Sequence, residues 1–407
     1  MTIPPRHGTA GPMDEPDHLA RTTVTWTSYA LLGYYGCLVA VLGPVVAFLR
    51  EEHELTYTQS SLHFSAFAAG LVLAGAFGDR PVRRFGRRAT LSTGLVGLGA
   101  GALTLAAAPS ALGTLPGAAL VGSFGGLVLS GSTAALADEH PRLRAAALTE
   151  ANVVSSALAI AGPLLVGALA TTALGWRAGL LAAAATVPAV LLAVRRLPVS
   201  RRSQGPTERC AQRPPPGSLP PRYWTFWVLL ALVDAVEFSI TFWAATYLRD
   251  SVGLSGPAAT AAVSIFLTGM LVGRLAGARL TRRVGREMRL LVAAMSLAGL
   301  GFFIYRFAPN ASVAMVGAFV LGLGTATLWP LALALAVGAA PDQSDTAAAR
   351  SSLAAGLAIL TAPFALGWLA DRFGIADAHW TVPALLATAA LILAAAHMTR
   401  PSNQSER

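Results

Sequence analysis

Residues 48–87 read FLREEHELTYTQSSLHFSAFAAGLVLAGAFGDRPVRRFGR, and residues 247–286 read YLRDSVGLSGPAATAAVSIFLTGMLVGRLAGARLTRRVGR. They align without a gap at an offset of 199 residues. The alignment pairs Leu49 with Leu248, Arg50 with Arg249, Ser65 with Ser264, Phe67 with Phe266 and Gly70 with Gly269. It runs on through Gly78/Gly277, Arg80/Arg279, Arg83/Arg282, Arg84/Arg283, Gly86/Gly285 and Arg87/Arg286. At an offset of 200, Gly122 meets Gly322, Pro141 meets Pro341, Pro163 meets Pro363 and Gly167 meets Gly367. Each copy is built from apolar runs, so the chain reads as a duplicated membrane half.

Composition agrees. Hydrophobic residues make up 54% of 407 and charged residues 12%, about half the charge of an average soluble protein. Twelve apolar spans fall at about 24–49, 57–79, 88–108, 111–137, 145–171, 177–196, 222–248, 257–280, 288–307, 311–338, 347–370 and 379–398. Each reaches the ~20 residues a helix needs to cross ~30 Å of hydrocarbon, and lipid admits helices because they satisfy their own backbone hydrogen bonds.

Net charge is +10 and every basic residue is Arg. Placing the N-terminus inside puts Arg6, Arg21, the 80–88 cluster, Arg142, Arg144, the group from Arg195 to Arg222, the 279–289 cluster, Arg350, Arg400 and Arg407 in inner segments. Outer joints hold Arg50, Arg177, Arg249, Arg306 and Arg372. This asymmetry of roughly five to one predicts both termini in the cytoplasm of a multi-pass plasma-membrane protein. The basic excess therefore reads as topology, with lipid rather than nucleic acid as its partner. Residues 1–23 form a polar cytoplasmic tail, 24–196 a first six-helix bundle and 197–221 a Pro-, Ser- and Arg-rich linker. Residues 222–398 form a second bundle and 399–407 a C-terminal tail. Cys37 and Cys210 suggest no disulfide framework or metal cluster.

Two carboxylates lie deep in the seventh span. Asp234 and Glu237, three residues apart, share a helix face. Two such groups in a low-dielectric site cannot both ionise cheaply, so one is expected to carry a proton, as proton coupling requires. Glu237 is nearer the midplane. The alternative role is a structural carboxyl hydrogen-bonded to a neighbouring helix. His63 in the second span has the same two options, a titrating group or a satisfied structural one.

Twelve spans, two similar halves and a long basic central loop resemble a major facilitator superfamily transporter. The family's loop motif after the second helix is matched by Gly75-Ala-Phe-Gly-Asp79-Arg80 and, after a delay, by Phe85-Gly86-Arg87-Arg88. A degenerate second copy runs from Gly273-Arg274 through Gly277 to Gly285-Arg286. Of the fifth-helix antiporter pattern, Gly162-Pro163 is present, followed by the single Gly167. The resemblance implies an all-α membrane protein whose twelve helices form two pseudo-symmetric bundles. It also implies alternating access driven by an ion gradient, usually protons. In that fold the fifth helix borders the eighth and the eleventh borders the second. Glu150 would then reach Arg274, and Asp79 would reach Arg350, as two ion pairs latching the cytoplasmic side in the outward-facing state. Helices lining the family's cavity carry Tyr34, Trp243 and Trp329, and Asn152 lies near the inner end of the fifth span; these four are the cavity candidates.

The expected function is secondary transport of a small organic molecule, with proton coupling, a lean to efflux of a drug-like compound or metabolite, no cofactor and a monomeric state. Proton-driven uptake of a sugar-like or carboxylate solute is the alternative. A membrane enzyme is disfavoured because no HExxH motif occurs, and ATP-driven pumping because no GxxxxGK[ST] loop does.

Overall fold

The computed structural model describes residues 19, 21–141, 143–197, 219–280 and 287–398. Arg6, Arg142, Cys210, Gly285, Arg286, Arg400, Arg407 and most of the linker and tails lie outside the described residues. Twelve helices are long and apolar enough to cross a membrane. In the first half they are α1 (Thr23–Glu52), α2 (Tyr57–Phe77), α3 (Arg87–Ala107), α4 (Ala111–Glu139), α5 (Ala146–Ala170) and α6 (Arg177–Arg195). In the second they are α7 (Pro221–Asp250), α8 (Gly256–Gly277), α9 (Glu287–Arg306), α10 (Ala311–Gly338), α11 (Arg350–Phe373) and α12 (Ile375–Ala396).

Local chemistry sets the ends. Thr22 and Thr56 close capping boxes with Thr25 and Gln59 at the starts of α1 and α2. Ser110 and Asn310, 200 residues apart, cap α4 and α10 by accepting from the amides of Gly113 and Val313. Two of the expected spans are broken. α6 is interrupted at Thr186, just ahead of Pro188, and α10 at Ala326–Thr327, ahead of Pro330. Proline supplies no N–H and crowds the preceding turn. Pro44, Pro163 and Pro363 sit inside unbroken helices. The second span stops at Phe77, and Asp79–Phe85 forms a separate short helix.

The halves meet along three seams: α1 with α7, α2 with α11, and α5 with α8. α1 and α7 approach backbone to backbone at Gly43, where an added Cβ would stand 2.6 Å from the Phe242 carbonyl oxygen. The other two seams carry matching hydrogen bonds. Ser65 on α2 donates to the Leu360 carbonyl at 3.2 Å, and its repeat partner Ser264 on α8 donates to the Ile160 carbonyl at 2.7 Å. Apolar burial gives little drive between helices that leave lipid for one another, so close packing and such hydrogen bonds hold the seams.

Candidate functional site

Asp234 and Glu237 lie on one face of α7, and Asp234 is 2% exposed. The Arg274 guanidinium reaches Glu237 from α8, with Nη2 3.4 Å from Oε1. Its Nη1 donates to Ser156 Oγ on α5 at 3.2 Å, so one side chain touches both halves. Trp329 adjoins Asp234, whose Oδ2 has no hydrogen-bond partner. Glu237 and Arg274 keep 18% and 41% of their side-chain surfaces open, which places the pair on the wall of an open space rather than in a sealed core.

Beyond Glu237, aromatic rings from both halves pack together as a plug. Phe242 is five residues further along α7, a rise of about 7.5 Å. Its ring stacks on Phe64 of α2 with centroids 4.4 Å apart, and Phe67 and Phe238 pack on its edges. Trp243 stands edge-on to Phe64 and donates its indole N–H to the Pro363 carbonyl. Offset and edge-on aromatic contacts of this kind combine large buried area with defined geometry.

Past the plug lies a ring of charge that the sequence reading missed. Arg50 pairs with Asp250, and Arg249 pairs with Glu51 at 2.8 Å. Arg50 and Arg249 are repeat partners, as are Glu51 and Asp250, so each arginine meets the acid of the other copy. The Tyr57 hydroxyl donates to Asp250 at 3.0 Å. Asp371 of α11 accepts from the amides of Tyr57 and Thr58 at 2.7 and 2.8 Å, capping α2 from the opposite half. The signal was legible: an Arg-acid dipeptide at the same place in both copies.

The proposed cytoplasmic latch is not assembled in this structure. Glu150 accepts from Arg21 Nε and Nη2 at 3.0 and 3.1 Å and from the Tyr29 hydroxyl. Arg21 is held more firmly charged by that bidentate contact. Asp79 pairs with Arg83 one turn on, at 2.9 Å, and both are more than half exposed. Arg350 lies over the Trp224 ring, and its carbonyl accepts from the Trp227 indole. Among the described residues, hydrogen bonds and ion pairs between the halves concentrate at the end away from the arginine-rich joints, and Arg274–Ser156 is the innermost.

The loop motif is local structure. Gly86 takes φ +82, opening the turn into α3; Arg87 ties that turn to Asp138 of α4 at 2.6 Å, and Arg80 covers the Phe77 ring. Arg88 is half-buried at the start of α3, and a Cβ on Gly75 would touch nothing. Of the cavity candidates, Asn152 is exposed and Trp329 half-buried beside the carboxylates. Tyr34 is buried with an unpartnered hydroxyl, and Trp243 belongs to the plug. His63 is enclosed in the first half, its ring between Thr114 Oγ1 at 2.7 Å and the Ser60 carbonyl.

Residues 29–294 and 227–407 each match the family model for the Major Facilitator Superfamily, together covering nearly the whole chain. The chain belongs to the major facilitator superfamily. It is 27% identical over 172 residues to an uncharacterized MFS-type transporter of Yersinia pestis, an alignment spanning 42% of this chain and 44% of that one. The fold matches a D-xylose-proton symporter with a TM-score of 0.71 at 18% identity, over 91% of this chain and 96% of that one. A bacterial homolog of the human lysosomal transporter Spinster, in an inward-facing and occupied conformation, matches at 0.68 and 15%, over 93% and 96%. A nucleoside transporter matches at 0.71 and 12%, over 92% and 99%. The protein is thus a multi-pass membrane transporter of this superfamily, with two six-helix bundles and a charged cluster at the seam between them.

Proposed function

We propose that this carrier couples a proton gradient to the movement of a small organic molecule by alternating access, with Glu237 as the proton site and Arg274 as its counter-charge. The observation behind this reading is the charge inventory at the seam: Asp234 and Glu237 share one face of α7, one guanidinium pairs with Glu237, and one Asp234 oxygen has no partner. One proton on the cluster brings it to neutrality, the condition under which buried charge is tolerated in a low-dielectric setting. With the arginine-rich end in the cytoplasm, the closed plug and charge ring face outside, and the described arrangement is inward-facing. Partial exposure of Glu237 then gives its proton a route to the cytoplasm. The aromatic surroundings, with acids in excess over bases, favour a neutral or cationic solute, which leans the reading to efflux of a drug-like compound or metabolite. Uptake of a sugar-like solute is the second reading, since the fold is shared with a D-xylose-proton symporter.

The test uses energised inside-out vesicles, with ethidium for efflux and D-xylose and uridine for uptake. Adding a transported solute moves protons across wild-type vesicles. Glu237→Gln loses gradient-driven transport and keeps solute exchange. Unchanged proton dependence in Glu237→Gln overturns the assignment.

A further inference from the structure

In the second half, α9 packs on α10 and α12 packs on α7, but α9 and α12 diverge along part of their length. The gap is a groove of about 790 Å³, lined by Val292, Gly299, Phe303, Leu386 and Ala390, with Arg289 at its arginine-rich end. The other end is closed by stacked and edge-on rings of Phe303, Phe307 and Trp380, with centroids 6.0–6.3 Å apart.

At the equivalent place the first half is closely packed. Gly99 and Gly299 hold equivalent places 200 residues apart. A Cβ on Gly99 would come within 2.7 Å of Val187, whereas one on Gly299 would meet nothing within 4 Å. Aligning the halves on Gly175 and Gly374, the positive-φ glycines before α6 and α12, sets Leu191 opposite Ala390. Leu191 is packed against the core, and alanine in its place leaves space. Arg289 has only Ala89 as its counterpart. The groove is therefore a one-sided feature rather than a by-product of the repeat.

Its occupant must suit hydrocarbon along the length and bear negative charge at one end. Arg289 is exposed, and no salt bridge to it occurs among the described residues. From Arg289 to Phe303 the α9 axis rises about 21 Å, more than one leaflet's half of a ~30 Å core. An acyl chain anchored by a headgroup at Arg289 runs the full groove and stops at the aromatic cluster. A phosphate at that level meets a guanidinium able to hold it bidentately. We propose that this groove binds one anionic phospholipid, with an acyl chain along Gly299 and Ala390 and its phosphate on Arg289.

Native mass spectrometry of the full chain in mild detergent, titrated with dioleoyl phosphatidylglycerol or dioleoyl phosphatidylcholine, tests this. Wild type retains one phosphatidylglycerol in preference to phosphatidylcholine. Arg289→Gln weakens phosphatidylglycerol about fivefold and phosphatidylcholine less, because choline's own positive charge already offsets its phosphate. Gly299→Leu, which fills the groove, removes retention of both. Ala390→Leu fills the same space from the facing helix and serves if Gly299→Leu does not fold, with the lipid-free melting temperature as the folding check. Equal binding of the two lipids by wild type, or lipid retained by both filled variants, overturns the proposal. So does a wild-type dimer that the filled variants convert to monomer, because the occupant is then a second copy of the chain.

Discussion

Replacing Asp250 with Asn tests the crossed ion pairs most directly. Arg50 and Asp250 keep 19% and 18% of their side-chain surfaces exposed. The Arg50 guanidinium also lies 4.3 Å from the Tyr57 ring centroid, so it cannot turn freely to water. Breaking a fully buried pair costs 3–5 kcal/mol, because the remaining charge is left uncompensated. An exposed pair contributes ~0–1 kcal/mol. At about four-fifths burial, with Tyr57 still able to donate to the new amide, we expect a cost of about 2 kcal/mol. That lowers the ratio of closed to open forms at this end, the outer one in the proposed orientation, about thirtyfold. Glu51, 56% exposed in its pair with Arg249, gives the internal comparison, and Glu51→Gln shifts the same ratio no more than about fivefold. Spin labels at Glu54→Cys and Ser251→Cys, on a Cys37→Ser/Cys210→Ser background, report the distance between the halves by pulsed electron resonance. The long-distance population grows strongly with Asp250→Asn and weakly with Glu51→Gln. Equal shifts, or a larger one from Glu51→Gln, would refute the argument that burial sets the strength of the ring.

Three further outcomes follow from the same geometry. Asp371→Ala removes both acceptors from the start of α2, worth about 1 kcal/mol for a lost cap, and raises the outer-open population about fivefold in the spin-label assay; an unchanged distribution means that the cap plays no part in closure. Gly122→Ala drives a Cβ into the Phe67 carbonyl oxygen and destabilises the carrier by about 1–3 kcal/mol. Gly75→Ala, with open space around it, leaves the melting temperature unchanged, and equal effects of the two would sink the packing account. Arg21→Gln frees Glu150 from an exposed pair and shifts the population of states at most about fivefold toward outer-open. If Arg274 is the alternative partner of Glu150, that shift disappears in an Arg274→Gln background; a shift that persists there rules out the exchange.

The helices were legible because long apolar runs, proline positions and capping residues are local signals that lipid enforces. The breaks at Thr186 and Ala326–Thr327 were less so, since Pro44 and Pro163 are tolerated in unbroken helices and sequence alone does not tell the two cases apart. At the seam, Asp234 and Glu237 stood out as charges in hydrocarbon. Arg274 stood out too, but its partner did not. Glu150 and Glu237 lie on different neighbours of α8, and only the depth of each along its own helix decides which one the guanidinium meets in a given state. Trp243 read as a cavity residue because it lies on a helix that lines the family's cavity, which does not say where along the helix that cavity is closed. The crossed ring was hidden by the topology argument, which treated Arg50 and Arg249 as exceptions to the arginine count. They are instead the residues that a two-fold axis sets against the acid next door in the other copy.

That two-fold axis separates two kinds of residue. The contacts that obey the repeat are Ser65 and Ser264 on facing carbonyls, and Arg50 and Arg249 on exchanged acids. They lie on the seams, and a rocking motion about the axis makes or breaks them in pairs. The residues that break the repeat lie in the second half: Asp234 stands opposite Tyr35, Glu237 opposite Leu38 and Arg274 opposite Gly75. A symmetric pair of bundles supplies two end states of comparable packing where its seam contacts come in twins, as those of Ser65/Ser264 and Arg50/Arg249 do. It supplies no reason for either state to depend on a proton or a solute. Any such dependence has to come from groups present once, since a ligand shifts an equilibrium only through unequal affinity for its two states. Under the proposed proton coupling, changes at the repeated pairs should move the balance of states while leaving its proton dependence intact, whereas changes at the unrepeated cluster should alter the proton dependence itself.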